Sequence, residues 1–371
     1  VLALPVTYLQ YTVESRDEAD HEVALYFDAT AELAVNKPDQ LVEWGRMVVP
    51  GDHPLIAMRV GTDEQPILEK DGDNLRIDWG HFYVAAPDAR GVSTVIADDI
   101  SAREAFATQR ALPMEDDKRM PRAANDHWPV LACTFELGKV GKASQTRHLI
   151  LAYDDLYCIE YLGNKLRPYW RRDGADSRDL LKLAADQYLD LMKRCADFDR
   201  QLMADLEKVG GPAYAQLCAM AYRQAIGAHK LAAGPKNEPM MFSKECFSNG
   251  CIATVDVAYP ASPVFMLLST ELLKATVRPV LDYATSDRWR FPFAPHDLGR
   301  YPRANGQRYG GGEQSEENQM PVEECGNMML IMAVISKNDG NAQFAQEYWP
   351  LLEQWAGYLK QKGLDPENQL C

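Results

Sequence analysis

From Val6 to Val13 the chain is rich in β-branched and aromatic residues, and Glu22 to Asp28 repeats that character after a charged turn. Such segments predict strands, because branched and aromatic side chains pack well on a pleated, half-buried surface. Leu75 to Trp79, His81 to Ala85, Val130 to Leu137 and His148 to Tyr153 read as further short strands. Turn clusters at Asp71-Gly72-Asp73-Asn74 and Ala86-Pro87-Asp88 punctuate them. Many short strands with regular turns predict an antiparallel sandwich. Within this stretch Ala102 to Ala107 reads as a short helix, and the charged run Glu115 to Arg122 as an exposed loop.

The period changes near Asp173. Apolar residues at Leu180, Ala184, Tyr188, Leu191, Cys195, Phe198, Leu202 and Leu206 step by three or four, which predicts one long helix with a single buried stripe. Asp176 or Ser177 suits its N-cap, and Gly210-Gly211-Pro212 ends it. A second helix carrying Tyr214, Leu217, Ala221, Tyr222 and Ile226 follows at once, so the two must lie antiparallel. Further on, Ser262-Pro263 is expected to cap a helix through Leu273, and Pro279 to open another. Pro321 starts one through Ile335, and Asn341 caps a last one ending at Gly363. Helices alternating with long and short links suit stacked αα-hairpins, closed as a toroid or open as a superhelix. The expected organisation is therefore two domains, 1–172 and 173–371.

Composition narrows the partners. The 371 residues carry a formal net charge of −15, from 54 Asp and Glu against 39 Lys and Arg. So acidic a surface repels phosphate backbones, and no nucleic-acid partner is expected. No apolar run is long enough to span a bilayer. The eight cysteines are irregularly spaced. Most are read as small buried hydrophobes, although Cys246 and Cys251 are close enough to bridge a short loop. With neither a CxxC pair nor an H-E-x-x-H helix, no metal or other cofactor is expected.

Two loops stand out for chemistry. One runs from Phe242 to Pro260. The other, Phe291 to Glu324, gathers His296, Asp297, Arg300, Tyr301, Arg303, Arg308, Glu313, Glu316, Glu317, Glu323 and Glu324. Long loops this dense in charge are more often functional than idle. The residue types suit hydrolysis by paired carboxylates, one activating water and one protonating the leaving group. An Arg would pair a substrate carboxylate, and an Asp or Glu its ammonium. Structural accounts stand beside this. Glu316-Glu317 suits a solvated face, Glu323-Glu324 suits a first helical turn where the dipole favours carboxylates, and His296-Asp297 suits a buried hydrogen-bonded corner. Gly310-Gly311-Gly312 lacks the Lys-Ser/Thr of a phosphate loop and reads as a flexible link. Cys246, Cys251 and Cys325 neighbour the charged loops, and His296 is placed to activate one of them.

The runs Phe242-Ser243-Lys244-Glu245, Thr254-Val255-Asp256-Val257-Ala258-Tyr259-Pro260-Ala261-Ser262-Pro263, Ala294-Pro295-His296-Asp297-Leu298-Gly299 and Met320-Pro321-Val322-Glu323-Glu324-Cys325-Gly326-Asn327-Met328 resemble those of glutaminase A-type proteins. Arg76-Ile77-Asp78-Trp79-Gly80 and Leu166-Arg167-Pro168-Tyr169-Trp170 resemble the same family upstream. The family usually has Ser where this chain has Cys325, which speaks against a thiol mechanism there.

The resemblance implies a multidomain α and β protein: a partial antiparallel β-sandwich followed by the N-terminal half of an (α/α)6 toroid. It implies a secreted or periplasmic hydrolase converting L-glutamine and water to L-glutamate and ammonia. A glycoside hydrolase on the same toroid and a non-catalytic binding protein are the alternatives, since fold does not fix function. Glu324, Asp256 and Asp297 are the expected catalytic residues. Lys244, His296, Arg300, Glu323 and Tyr259 are expected to hold the substrate. In the family pattern Gln369-Leu370-Cys371 precedes a Thr-Asp-Asp-Phe run. The expected partners are thus a small-molecule substrate and the remaining segments of the same protein as separate chains. The end at Cys371 is read either as incidental or as processing, in which case one of these segments would begin with a threonine whose amine serves as base.

Overall fold

The fold is that of a computed structural model describing residues 3–366. It forms two compact units. One comprises Val1–Ile67, Arg76–Leu156 and Asp173–Cys195, and the other Leu68–Leu75, Tyr157–Arg172 and Ala196–Cys371. Asp173–Cys195, beyond the boundary expected at residue 172, belongs with the first unit.

The first unit is a pair of antiparallel sheets. Its strands are β1 (Val6–Val13), β2 (His21–Thr30), β3 (Leu41–Val49), β4 (Leu55–Thr62), β5 (His81–Pro87), β6 (Val92–Asp98), β7 (Arg122–Ala123), β8 (Pro129–Val140) and β9 (Gln145–Asp154). The six-stranded sheet runs β1-β9-β5-β4-β3-β7 and the three-stranded sheet β2-β8-β6. Trp44, Met58, Val60 and Val84 from one sheet meet Ile96, Leu131, Cys133 and Phe135 from the other in one buried core. Each such side chain contributes about 1.5–3 kcal/mol on burial. Helix α1 (Asp99–Gln109) starts where Asp98 accepts the Ser101 amide, as an N-cap does.

The unit departs from expectation in two ways. Leu75 to Trp79 is not a strand. Its polar groups are satisfied one at a time instead: the Arg76 amide by Asn36 and the Trp79 indole by the Asp155 carbonyl. Strands β3, β4 and β6 go beyond the sequence reading; in β3 and β4, Gly45-Arg46 and Arg59 interrupt the apolar pattern.

The predicted long helix is split. α2 (Ser177–Asp186) opens with a reciprocal capping box between Asp176 and Asp179, then ends at Gln187. α3 (Tyr188–Gly227) departs from helical geometry at Gly211, φ 81° and ψ 179°, just before Pro212. The Phe198 and Tyr222 rings lie 5.6 Å apart. Along a continuous helix they would be separated by about 36 Å, so the chain doubles back at Gly211 as an αα-hairpin.

Elsewhere in the second unit, β10 (Ile159–Tyr161) pairs with β11 (Asn164–Leu166), and β12 (His229–Ala233) forms a hairpin with β13 (Pro239–Ser243). The helices are α4 (Val255–Leu268), α5 (Thr270–Ala284), α6 (Pro321–Asp339), the short α7 (Gln343–Gln346) and α8 (Trp349–Lys362). β14 (Arg303–Ala304) joins β10 in parallel. Phe265, Tyr283, Phe293, Met328 and Trp355 centre the core of these helices.

Two prolines expected at helix starts lie inside helices: Pro263 within α4, which also holds Pro260, and Pro279 within α5, whose cap is Ser269. Pro263 cannot donate to the Tyr259 carbonyl four residues back. The Ser262 hydroxyl donates to it instead, at 2.7 Å. Pro321 does open α6. No helix among the described residues is long and apolar enough to cross a membrane.

Candidate active site

The site gathers on His296. An aromatic buckle fixes the chain just before it: Phe291 and Phe293 stack at 5.4 Å, and the Trp289 indole donates to the Phe293 carbonyl. The His296 amide then donates to Gln307 Oε1 at 2.7 Å, and its carbonyl accepts from the Val255 amide at 2.8 Å. That second bond ties His296 to the first turn of α4, which carries Asp256. A short ladder completes the seat along the segment before α4: the Leu298 amide donates to the Ile252 carbonyl, and the Ile252 amide donates to the Gly299 carbonyl.

Asp297 is fully buried, and its carboxylate is saturated. Oδ1 accepts from the Gly299 and Arg308 amides at 2.8 and 2.9 Å, and Oδ2 from the Tyr309 amide and His296 Nδ1, both at 3.0 Å. Gly299 has φ 140°, and a Cβ there would lie 2.3 Å from the Arg303 carbonyl. Only glycine lets the backbone turn back onto this carboxylate. Tyr309 also stacks on the imidazole, 4.1 Å between ring centroids. Asp297 and Tyr309 thus lock the ring, with Nδ1 toward Asp297 and Nε2 facing away.

Nε2 faces acid. Asp256 Oδ2 is 3.6 Å from it, and Glu324, in the first turn of α6, brings a carboxylate oxygen within 4.8 Å of a ligand atom from each of the two residues. Glu324 is 0% exposed, and neither of its oxygens has a hydrogen-bond partner. Asp256 Oδ1, Glu323 Oε2 and the Asn327 amide nitrogen are likewise buried and unpaired. Helix N-termini favour carboxylates, but the dipole does not replace a hydrogen bond. Burial, with Asp256 and Glu323 adding repulsion that His296 only partly offsets, pushes the Glu324 carboxyl up to about 9. Burial alone would lower His296. The Asp256 and Asp297 carboxylates, with Glu324, outweigh it and raise the imidazole to about 10. The 3.6 Å separation exceeds hydrogen-bond reach, so the pull from Asp256 is that of a nearby charge.

The thiols do not take part. Burial, followed by the Asp297 charge, raises Cys251, and burial raises Cys325 to about 12, so neither supplies a thiolate nucleophile. Cys325 accepts the Ala294 amide instead. Cys246 and Cys251 are both free, so the bridge is not formed.

The structure therefore brings together Asp256, His296, Asp297, Glu324 and Glu323. Of the other three expected residues, two make contacts elsewhere and one is partly exposed. Lys244 packs over the Tyr301 ring and reaches the Leu75 carbonyl at 3.5 Å. Arg300 donates to the Asn249 carbonyl and lines a separate, arginine-rich cavity of about 470 Å³. Tyr259 is 38% exposed. Asp297 is corrected in role as well: an acid–base group needs a free oxygen, and both of its oxygens are taken. Sequence reasoning missed Tyr309, Gln307 and Asn327. For Asn327 a signal existed, since it lies three residues from Glu324 and so shares its face of α6.

Comparison with known proteins agrees with this architecture. Residues 211–371 match the glutaminase A six helical-hairpin domain, and residues 1–205 match a domain of unknown function, DUF5127. The chain belongs to the glutaminase A-type family. It is 29% identical to glutaminase A of Aspergillus oryzae (strain ATCC 42149 / RIB 40), an alignment covering 99% of this chain and 52% of that protein. It is 25% identical to a probable glutaminase of Arthroderma benhamiae (strain ATCC MYA-4681 / CBS 112371), over 96% of this chain and 41% of that one. The chain thus spans about half the length of the curated relatives it matches. The relatives' names support a glutaminase-like hydrolase at the level of the family. Cys371 and the two residues before it lie outside the described residues.

Proposed function

We propose that this family member hydrolyses the side-chain carboxamide of L-glutamine, using the group of Asp256, His296 and Glu324. The observation that carries the reading is the group of buried carboxylate oxygens without partners around one locked imidazole. Unpaired buried carboxylates are costly, and they are retained where something else is to be bound.

Hydrolysis needs water to add to the carboxamide carbon and a proton to reach the departing nitrogen. The C–O bond forms, the C–N bond breaks, and the proton taken from water leaves with ammonia. A carboxylate oxygen beside both atoms serves each transfer, and Asp256, Glu323 and Glu324 offer such oxygens. Asp297 is a positioning residue, setting the ring through Nδ1. A location outside the cytoplasm and completion of the site by further segments of the same protein belong to the same proposal.

Ammonia release from L-glutamine, measured beside reducing-sugar release from glycans, tests it. Ammonia release that falls at least about a hundredfold in Asp256→Asn and Glu324→Gln is expected. Sugar release instead would turn the reading to a glycoside hydrolase, and neither product would leave a binding protein.

A further inference from the structure

We infer that Asp256, His296 and Glu324 form a binding site for one divalent cation of the zinc or manganese class. The inference rests on the hydrolytic reading only for what the metal would do, not for where it binds.

The geometry is that of a donor set. One ligand atom each from Asp256, His296 and Glu324 lies within 4.8 Å of the other two. The Nε2–Oδ2 distance of 3.6 Å between His296 and Asp256 is too long for a good hydrogen bond. It matches the spacing of two ligands on one ion: donors about 2.1 Å from a tetrahedral centre lie about 3.4 Å apart. The donors come from three separate segments: the first turns of α4 and α6, and the hydrogen-bonded seat of His296.

The second observation is Glu324 itself. It is wholly buried and neither oxygen has a partner. A cation would supply one. The third is the far side of the ring. A ligating histidine characteristically donates its other nitrogen to a carboxylate that is itself held in place, and Nδ1 does so to Asp297, which three backbone amides hold. The alternative trio of Cys251, His296 and Asp297 lacks this property, because the Asp297 oxygens are already occupied.

One nitrogen with two carboxylates suits zinc or manganese better than calcium, which prefers oxygen alone. With three protein ligands a coordination position stays open for water.

Isothermal titration of the chelator-treated protein with ZnCl2 and with MnCl2 decides the question, with bound metal counted by elemental analysis after desalting. One equivalent of at least one metal is expected to bind saturably. Asp256→Asn and Glu324→Gln are each expected to weaken it at least tenfold, and Asp297→Asn to weaken it about tenfold from outside the donor set. Circular dichroism of each variant confirms folding, and Glu324→Gln, which replaces an unpaired buried carboxyl by an amide of the same size, keeps the test open where another variant fails to fold. No saturable binding overturns the inference, and so does binding that the folded variants leave unchanged. Metal bound as expected, but without ammonia release, would sink the glutamine reading and keep the site. Undiminished ammonia release from protein shown to bind no metal would do the reverse.

Discussion

The two sides of His296 make opposite use of buried carboxylates. On the Nδ1 side, Asp297 receives four hydrogen bonds and is finished as a structure. On the Nε2 side, Glu324 is as deeply buried and receives none. Since the two share one imidazole, burial alone does not separate them; the supply of backbone amides does. The loop from Gly299 to Tyr309 wraps its amides onto Asp297, whereas Glu324 and Asp256 sit at helix starts whose side-chain oxygens are left over. A carboxylate surrounded by donors holds the fold, and one surrounded by other carboxylates waits for a ligand.

The largest expected effect comes from breaking the finished side. Asp297→Ala leaves three buried amides and the ring nitrogen without an acceptor. It should cost about 3–5 kcal/mol in urea unfolding and abolish ammonia release with it. A loss below about 1 kcal/mol would mean that the two sides do not differ as described. Glu324→Gln probes the open side with the contrary sign. Ammonia release should fall at least about a hundredfold, while the metal-free protein should gain about 1 kcal/mol near neutral pH, because burying Glu324 there requires it to take up a proton that a neutral amide does not need. A less stable metal-free variant would show that Glu324 is paired after all. Tyr309→Leu removes the ring stacked on His296. It should cost about 1 kcal/mol and lower kcat several-fold with KM little changed, since it positions the imidazole without touching substrate. The smallest effect is expected of Cys325→Ser, whose hydroxyl can still accept the Ala294 amide. Stability should change by less than about 1 kcal/mol and ammonia release by less than about twofold, whereas a nucleophilic thiol would lose orders of magnitude.

Which of these residues could be read before the fold was known follows the same division. Asp256, His296 and Glu324 were legible because charged residues in otherwise apolar or glycine-rich runs are conspicuous, and because Pro321 marks the start of α6. Strand β1 was read to the residue, since Val6 to Val13 keeps its β-branched and aromatic character throughout. The saturation of Asp297 was not legible, because its donors are backbone amides that leave no mark in side-chain identity. Nor was the course of α4: Pro260 and Pro263 ordinarily mark a helix start, and only the Ser262 hydroxyl, donating to the orphaned Tyr259 carbonyl, shows how the helix continues through them. Lys244 and Arg300 were chosen for their charge, and charge alone does not say what a long side chain will reach.

The bond from the Val255 amide to the His296 carbonyl has a consequence for the order of folding. It joins residues some forty positions apart, and Glu324 arrives from nearly thirty further along the chain. Such contacts form late, after the entropy of closing the intervening loops has been met. A chain with its hairpins formed but this bond unmade would hold Asp256, His296 and Glu324 apart, each hydrated and inert. Reactivity would then switch on only with the last closure, so that incompletely folded molecules carry no half-built chemistry to act on whatever they meet.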